Sequence, residues 1–241
     1  MIPARFSLVV LSACLMLAQV HGQVRHPAYE GKAVDLATGA ELYIEDHKEI
    51  LEDGRRVGMT SVYRDMSGRV LARRTVDFSK NPFVPDFELV DERDGYTEGA
   101  SLQGDSLRVY LQKNSESPLE DVMLQIPDPA VVDAGFNNYV QAQWDAIAAG
   151  EKQYFNFAAP FAKDYYGFRV YKEDEVVEND RRMMIVHLDI DNFIIRLFLD
   201  PIVLKYDMEA RRLVSYEGIS NINNDEGKSY VVRITYDPYG P

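Results

Sequence analysis

Apolar and polar residues alternate along most of the chain, in segments separated by turn residues. This period-two pattern predicts extended strands, and Asp53-Gly54, Met66-Ser-Gly68 and Gly104-Asp105 are typical of the turns that connect antiparallel neighbours. Strands of about ten residues span roughly 33 Å, which is long for a globular protein. The strands predicted in the first half of the chain are 42–51, 56–65, 69–78, 86–93, 96–102, 107–113 and 121–126.

One helix is predicted over 133–149, where the apolar spacing changes to a helical period. Asp133 is the predicted N-cap and Gly150 the stop. The apolar face of the helix carries Phe136, Tyr139, Val140, Trp144, Ile147 and Ala148. Strands are predicted again over 152–158, 167–177, 181–188, 202–207, 211–219 and 229–236. Residues 192–199 fit a short helix or a buried strand, and residues 23–40 are predicted to be an irregular lead-in.

This order of elements predicts a mainly β (α+β) fold. We expect a long-stranded antiparallel meander that curls into an open half-barrel around one amphipathic helix. A single domain over 41–241 is the preferred organisation, and Pro127-Asp-Pro129 marks the alternative, a boundary between two subdomains.

The first 22 residues have the three-part pattern of a secretory signal peptide. Arg5 supplies the positive charge, residues 6–17 form an apolar run, and Val20 and Gly22 precede the expected cut. The mature protein would then begin near Gln23, in the periplasm or outside the cell. An alternative is a lipid anchor on the lone cysteine, Cys14, because Leu-Ser-Ala precedes it. An uncleaved anchor is disfavoured, since a bilayer span needs roughly 20 apolar residues.

Composition narrows the classes of partner. Loss of the signal peptide removes Arg5 and leaves a net charge of −14, which disfavours nucleic acid and anionic lipid head groups. Arginine pairs such as Arg73-Arg74 are interpreted as solvated strand positions. No later segment is apolar enough to predict a transmembrane span. After cleavage near Gly22 no cysteine remains, which excludes disulfides, thiol catalysis and cysteine-ligated metals.

No catalytic or cofactor motif is present, so we expect a protein that is not an enzyme and has no cofactor or metal. His26, His47 and His187 lie far apart in the chain and lack metal-ligand spacing. GxSxG, P-loop and GxGxxG motifs are absent from the sequence. The less favoured alternative is a hydrolase that uses Asp189 and Asp191, which share one face of an extended strand.

Aromatic residues concentrate after the predicted helix and suggest a lining for an apolar ligand. The alternative is that they fill an ordinary core. The candidate ligand-binding residues are Trp144, Phe155, Phe157, Tyr165, Tyr166, Phe168 and Tyr171.

The segments 200–207 and 211–221, together with the order of strands and helix, resemble uncharacterised exported proteins of Gram-negative bacteria. Their architecture is similar to that of the periplasmic lipoprotein carriers and lipoprotein-sorting proteins. This resemblance implies a curved antiparallel sheet that wraps a helix and shelters acyl chains. The expected function is a periplasmic carrier for a hydrophobic small molecule or lipid. The alternative is an envelope interaction or assembly protein with a packed core and no ligand.

Overall fold

The computed structural model describes residues 24–25, 27–192 and 201–237. The predicted signal peptide and all but the first residue of the ambiguous segment 192–199 lie outside these ranges. Within these ranges the two helices are α1 (Gly135–Ala142) and α2 (Trp144–Ala148). The strands are β1 (Val24–Arg25), β2 (Ala28–Asp35), β3 (Glu41–Glu52), β4 (Arg55–Asp65), β5 (Val70–Asp77), β6 (Asp86–Asp91), β7 (Thr97–Gln103), β8 (Ser106–Gln112), β9 (Glu120–Gln125), β10 (Ala130–Val132), β11 (Gln153–Ala159), β12 (Asp164–Glu178), β13 (Arg181–Ile190), β14 (Ile202–Asp207), β15 (Arg212–Asn223) and β16 (Ser229–Asp237).

All these strands belong to one sheet that is built from two meanders. The first meander runs from β2 to β9 and the second from β10 to β16, and β16 joins them by pairing with β2. Every neighbouring pair is antiparallel except β10 and β11. Among the described strands β9 and β10 are outermost and do not pair with each other, so this part of the chain forms a curled sheet that hydrogen bonds do not close. This architecture confirms the predicted mainly β fold and open half-barrel.

The prediction of an irregular lead-in over 23–40 is wrong at Ala28–Asp35, because this segment is β2 and lies in the middle of the sheet. It pairs with β16 on one side and with β3 on the other. Gly31 permits this position, since a Cβ there would lie 2.8 Å from the Tyr236 ring and 3.0 Å from a Glu45 carboxylate oxygen. One partner of β2, the strand β16, is distant in sequence, and local patterning does not reveal it.

The predicted helix over 133–149 is two helices with a break at Gln143, and Asp133 is not its N-cap. Asp133 adopts a positive φ of 43°, and its carboxylate pairs with Arg74. The N-cap position belongs to Ala134, which makes no side-chain capping bond. The predicted stop is present, because Gly150 adopts a φ of 91° directly after the helical segment.

One continuous inner face runs around the sheet. Residues that are direct cross-strand partners lie on the same face of the sheet. Following partners from strand to strand therefore traces the inner face from β13 to β3. Apolar side chains occupy this face and form a core cluster with α1 and α2 over β11–β14. The traced positions are Val186, Leu204, Tyr216, Ile234, Ala33 and Tyr43.

The two ends of the sheet meet by side-chain packing. All three residues of β10 are buried. Val131 packs in the helix-facing cluster, whereas Ala130 and Val132 pack with residues of β4–β8 such as Met59 and Leu107. Because successive residues of a strand point to opposite faces, β10 lies between the helices and the first meander. The curled sheet therefore overlaps itself and encloses an interior on the side of β2–β7.

Candidate functional site

A row of mostly polar side chains crosses the inner face of the first meander. Each member is the direct cross-strand partner of the next, so all of them point into the curl of the sheet. We call these six residues, one from each of the strands β2–β7, the polar row. They are Tyr29, His47, Ser61, Arg74, Leu89 and Glu98.

Strand alternation explains why the polar row points inward. In β3 the buried positions are Tyr43, Glu45 and His47, every second residue. In β5 the buried Ala72 and Val76 flank Arg74 on the same face. The apolar neighbours therefore bring the polar side chains into the interior, where each needs a hydrogen-bonding partner.

His47 links two other interior side chains. Its Nδ1 lies 2.7 Å from Ser61 Oγ, and its Nε2 lies 2.9 Å from Glu45 Oε2. Tyr29 stacks on the imidazole with ring centroids 4.7 Å apart. A serine, a histidine and a carboxylate in series also occur in hydrolases, but here Ser61, His47 and Glu45 are all buried side chains that bond to one another within the sheet face. This chain of hydrogen bonds orders the interior and gives no support for catalysis.

Arg74 forms an ion pair with Asp133, which lies just before α1. Arg74 Nη1 donates to Asp133 Oδ1 at 3.1 Å, and the side chains are 11% and 7% exposed. Within the described residues, the buried Arg74 Nε and Asp133 Oδ2 have no hydrogen-bonding partner. The pair joins the first meander to the start of the helical segment and leaves one donor and one acceptor unsatisfied.

Glu98 lies near this ion pair at the end of the polar row. Burial raises the pKa of its carboxyl to about 7, and the charge on Asp133 adds to the rise. The Tyr96 hydroxyl, which donates to Glu98 Oε2 at 2.9 Å, and Arg74 act in the opposite direction. Glu98 is therefore largely protonated in mildly acidic solution.

Several side chains on the inner face remain partly exposed, although burial shifts their pKa values strongly. Tyr29, Arg74, Glu98 and Tyr236 are half-buried by surface area. Burial nevertheless raises the pKa of Tyr29 to about 12 and that of Tyr236 well above its usual range. These four side chains point toward the concave side of the curled sheet and each exposes part of its surface. We call the space along the polar row the lumen.

The seven aromatic residues singled out in the sequence do not line one surface. Trp144 of α2 and Phe155 of β11 are buried in the cluster between the helices and the sheet, and Phe157 and Phe168 pack against this cluster. Tyr165 packs against the other cluster, the one that contains Met59. The remaining two are Tyr166, which is 37% exposed, and Tyr171, whose hydroxyl donates to Asp189.

A shallow cleft adjoins these aromatics. It has a volume of about 150 Å³. Sites for drug-sized ligands usually measure about 300–1,000 Å³, so this cleft is too small to enclose a lipid chain. Its lining consists of Pro129, Tyr154, Phe155, Asn156, Gly167, Phe168 and Asp191.

The carboxylates proposed for hydrolysis have separate surroundings. Asp189 accepts two hydrogen bonds from Arg169, at 2.6 and 3.0 Å, and is nearly buried. Asp191 is exposed and lines the cleft. Asp189 thus has the surroundings of a structural ion pair.

Within the described ranges, no three histidine, cysteine or carboxylate side chains come together as a metal site. Nor does this part of the chain contain a helix that is long and apolar enough to cross a membrane.

Sequence reasoning missed the polar row. The interpretation of Arg73-Arg74 as solvated is wrong for Arg74, because only Arg73 faces outward. A signal was present in the alternation, since Arg74 lies two residues from both Ala72 and Val76. Asp133 gave no such signal, because a position before a helix normally indicates a cap.

Comparisons with protein-family models and with curated proteins give no match. Among solved structures, the chain is similar to the crystal structure of a beta-barrel-like protein of domain of unknown function DUF1849 from Brucella abortus. The similarity covers 90% of this chain and 98% of that chain, with 12% sequence identity and a TM-score of 0.50. At this identity the likeness shows the fold alone, a curled beta-barrel-like sheet.

Proposed function

We propose that this protein is an exported, non-enzymatic binding protein that takes an apolar ligand, such as a lipid or an acyl chain, into the lumen. The observation that carries the proposal is the polar row, in which Tyr29, Arg74 and Glu98 point inward and keep some accessible surface inside a curled sheet. Binding sites of this kind combine apolar walls with a few convergent polar groups.

Apolar side chains flank the polar row on both sides. On one side are Met59, Val76 and Phe87, which belong to the cluster that also packs β10. On the other side are residues of a third cluster, among them Tyr63 and Ala72. An apolar chain in the lumen would contact these walls, and its polar end would contact Arg74 or its neighbours.

This proposal moves the site away from the aromatic residues that the sequence suggested. Trp144 and Phe155 are committed to packing α1 and α2 on the sheet, and the adjoining cleft is small. The helices occupy the concave face over β11–β14. A ligand of lipid length is therefore better accommodated along β2–β7.

The test is saturable uptake of the neutral fluorescent probe N-phenyl-1-naphthylamine by the purified mature protein. We expect Glu98→Trp to abolish uptake, because the indole would fill the lumen. Glu88→Trp is the matched control, since Glu88 is exposed on the neighbouring strand. Phe168→Ser should leave uptake unchanged. A folded wild-type protein that takes up no probe would refute the proposal, as would uptake that Glu98→Trp leaves intact.

A second candidate function, an envelope interaction protein, is favoured by the open edge at β9. Within the described residues β9 pairs only with β8, whereas β10 at the other edge is buried and donates from Val132 N–H to Phe83 O. Met123 in β9 is 47% exposed. Such an edge can accept a strand from another protein.

A photo-crosslinking residue in place of Met123 tests this second candidate in cells. The matched control is the same residue in place of Val177, which is 70% exposed on β12. Crosslinks to one defined protein from position 123 alone would support the interaction protein. Equal labelling from both positions would count against it.

A further inference from the structure

The ion pair between Arg74 and Asp133 leaves one hydrogen-bond donor and one acceptor without a partner among the described residues. An arginine and a carboxylate frequently form two parallel hydrogen bonds, but Arg74 and Asp133 form one, from Nη1 to Oδ1. The second donor, Arg74 Nε, and the second acceptor, Asp133 Oδ2, are buried and lack partners within the described part of the chain. Leaving such atoms unpaired is unfavourable, so the pair is suited to a group that supplies both an acceptor and a donor.

The charges around the pair disfavour an anionic group. The positive charge of Arg74 is already opposed by Asp133, and the carboxyl of Glu45 interacts electrostatically with Arg74 as well. Glu98 adds a further negative charge above its pKa of about 7. The whole chain carries a net charge of −13. An incoming carboxylate or phosphate would therefore meet repulsion from several acids and would leave Asp133 Oδ2 without a donor.

We infer that the polar end of the ligand is an uncharged group with both an acceptor and a donor, such as a primary amide or a hydroxyl, held between Arg74 and Asp133. Its acceptor takes the hydrogen bond of Arg74 Nε, and its donor satisfies Asp133 Oδ2. This inference rests on the proposed binding function and adds the chemical class of the ligand's head group.

The test compares three ligands with ten-carbon acyl groups in displacing N-phenyl-1-naphthylamine at about pH 8, where Glu98 is mostly charged. Decanamide is neutral and has an acceptor and donors. Methyl decanoate is neutral and has acceptors only, and decanoate is an anion. We expect decanamide to bind about tenfold more tightly than methyl decanoate, because it satisfies Asp133 Oδ2 as well. Decanoate should bind most weakly.

The double variant Arg74→Met/Asp133→Gly removes both polar groups. Replacing a buried ion pair by apolar groups is often tolerated, and glycine suits the positive φ of 43° at position 133. This variant should take up the probe and bind decanamide and methyl decanoate equally. Arg73→Met is the matched control, since Arg73 is exposed and pairs with Glu92. It should retain the tenfold preference.

The outcomes separate the inference from the proposed function. Probe uptake without a preference for decanamide shows that water alone satisfies the pair, and it overturns the inference while the binding function stands. Tightest binding by decanoate also overturns it, because Arg74 would then recognise an anion. The inference is also overturned if the folded double variant still binds decanamide more tightly than methyl decanoate. Failure of the wild-type protein to bind the probe or any ligand refutes the proposed function itself.

Discussion

Replacing Trp144 by alanine tests how the helical segment is held on the sheet. Trp144 begins α2 and is 4% exposed. Its ring packs edge-on against Tyr206 of β14, with centroids 5.7 Å apart, and the Arg211 guanidinium lies 5.4 Å from the indole centroid. The truncation would therefore leave a cavity between the helices and the inner face of the second meander.

The magnitude follows from the area that the indole buries. A buried tryptophan removes about 200 Å² from water, which corresponds to about 5 kcal/mol at 25 cal/mol/Å². The denatured chain already buries part of that area, which lowers the figure to about 3–4 kcal/mol. Measured losses for large core aromatics fall in the range of about 3–5 kcal/mol. We expect Trp144→Ala to lower the free energy of unfolding by about 3–5 kcal/mol.

Urea unfolding followed by far-ultraviolet circular dichroism measures this loss. Tryptophan fluorescence is unsuitable, because the variant lacks the only tryptophan of the chain. Phe161→Ala is the control, since Phe161 is an aromatic residue that is 67% exposed, and it should change stability by less than about 0.5 kcal/mol. An unchanged midpoint for Trp144→Ala would show that α2 does not contribute to the cooperative core and would refute the packing described for it.

Three further predictions concern titration, an unsatisfied hydroxyl and processing. Because the pKa of Glu98 is raised from 4.5 to about 7, the folded state favours the protonated form and loses stability as pH rises through that interval. The urea concentration at the unfolding midpoint should therefore be higher for Glu98→Gln than for the wild type near pH 8, and similar for both near pH 4. An equal difference between the two midpoints at both pH values would contradict this reasoning. Tyr165→Phe removes a buried hydroxyl that has no partner among the described residues, so thermal unfolding should show equal or higher stability, by up to about 1 kcal/mol. N-terminal sequencing of the exported protein should begin near Gln23, whereas a lipid-modified Cys14 would contradict cleavage there.

The sequence by itself determined most of the strands and turns of this protein, although it revealed neither β2 nor β10. Alternating apolar residues and turn residues such as Gly54 depend on contacts between near neighbours, so the predicted strands match β3–β9 and β11–β16 closely. The helical stop at Gly150 is equally local, because glycine adopts its positive φ without strain. The curl of the sheet followed from the length and order of these strands.

Only the tertiary structure decided which polar residues face the lumen. Arg73 and Arg74 are adjacent and chemically identical, and only the register of β5 against β4 and β6 places Arg74 beside Ser61 and Leu89. Asp133 has the sequence context of a helix cap, but a partner 59 residues away engages its carboxylate instead. The polar row joins six strands that are spread over much of the first meander. Long-range pairing assembles such a site, and local periodicity contains no information about which distant residues become neighbours.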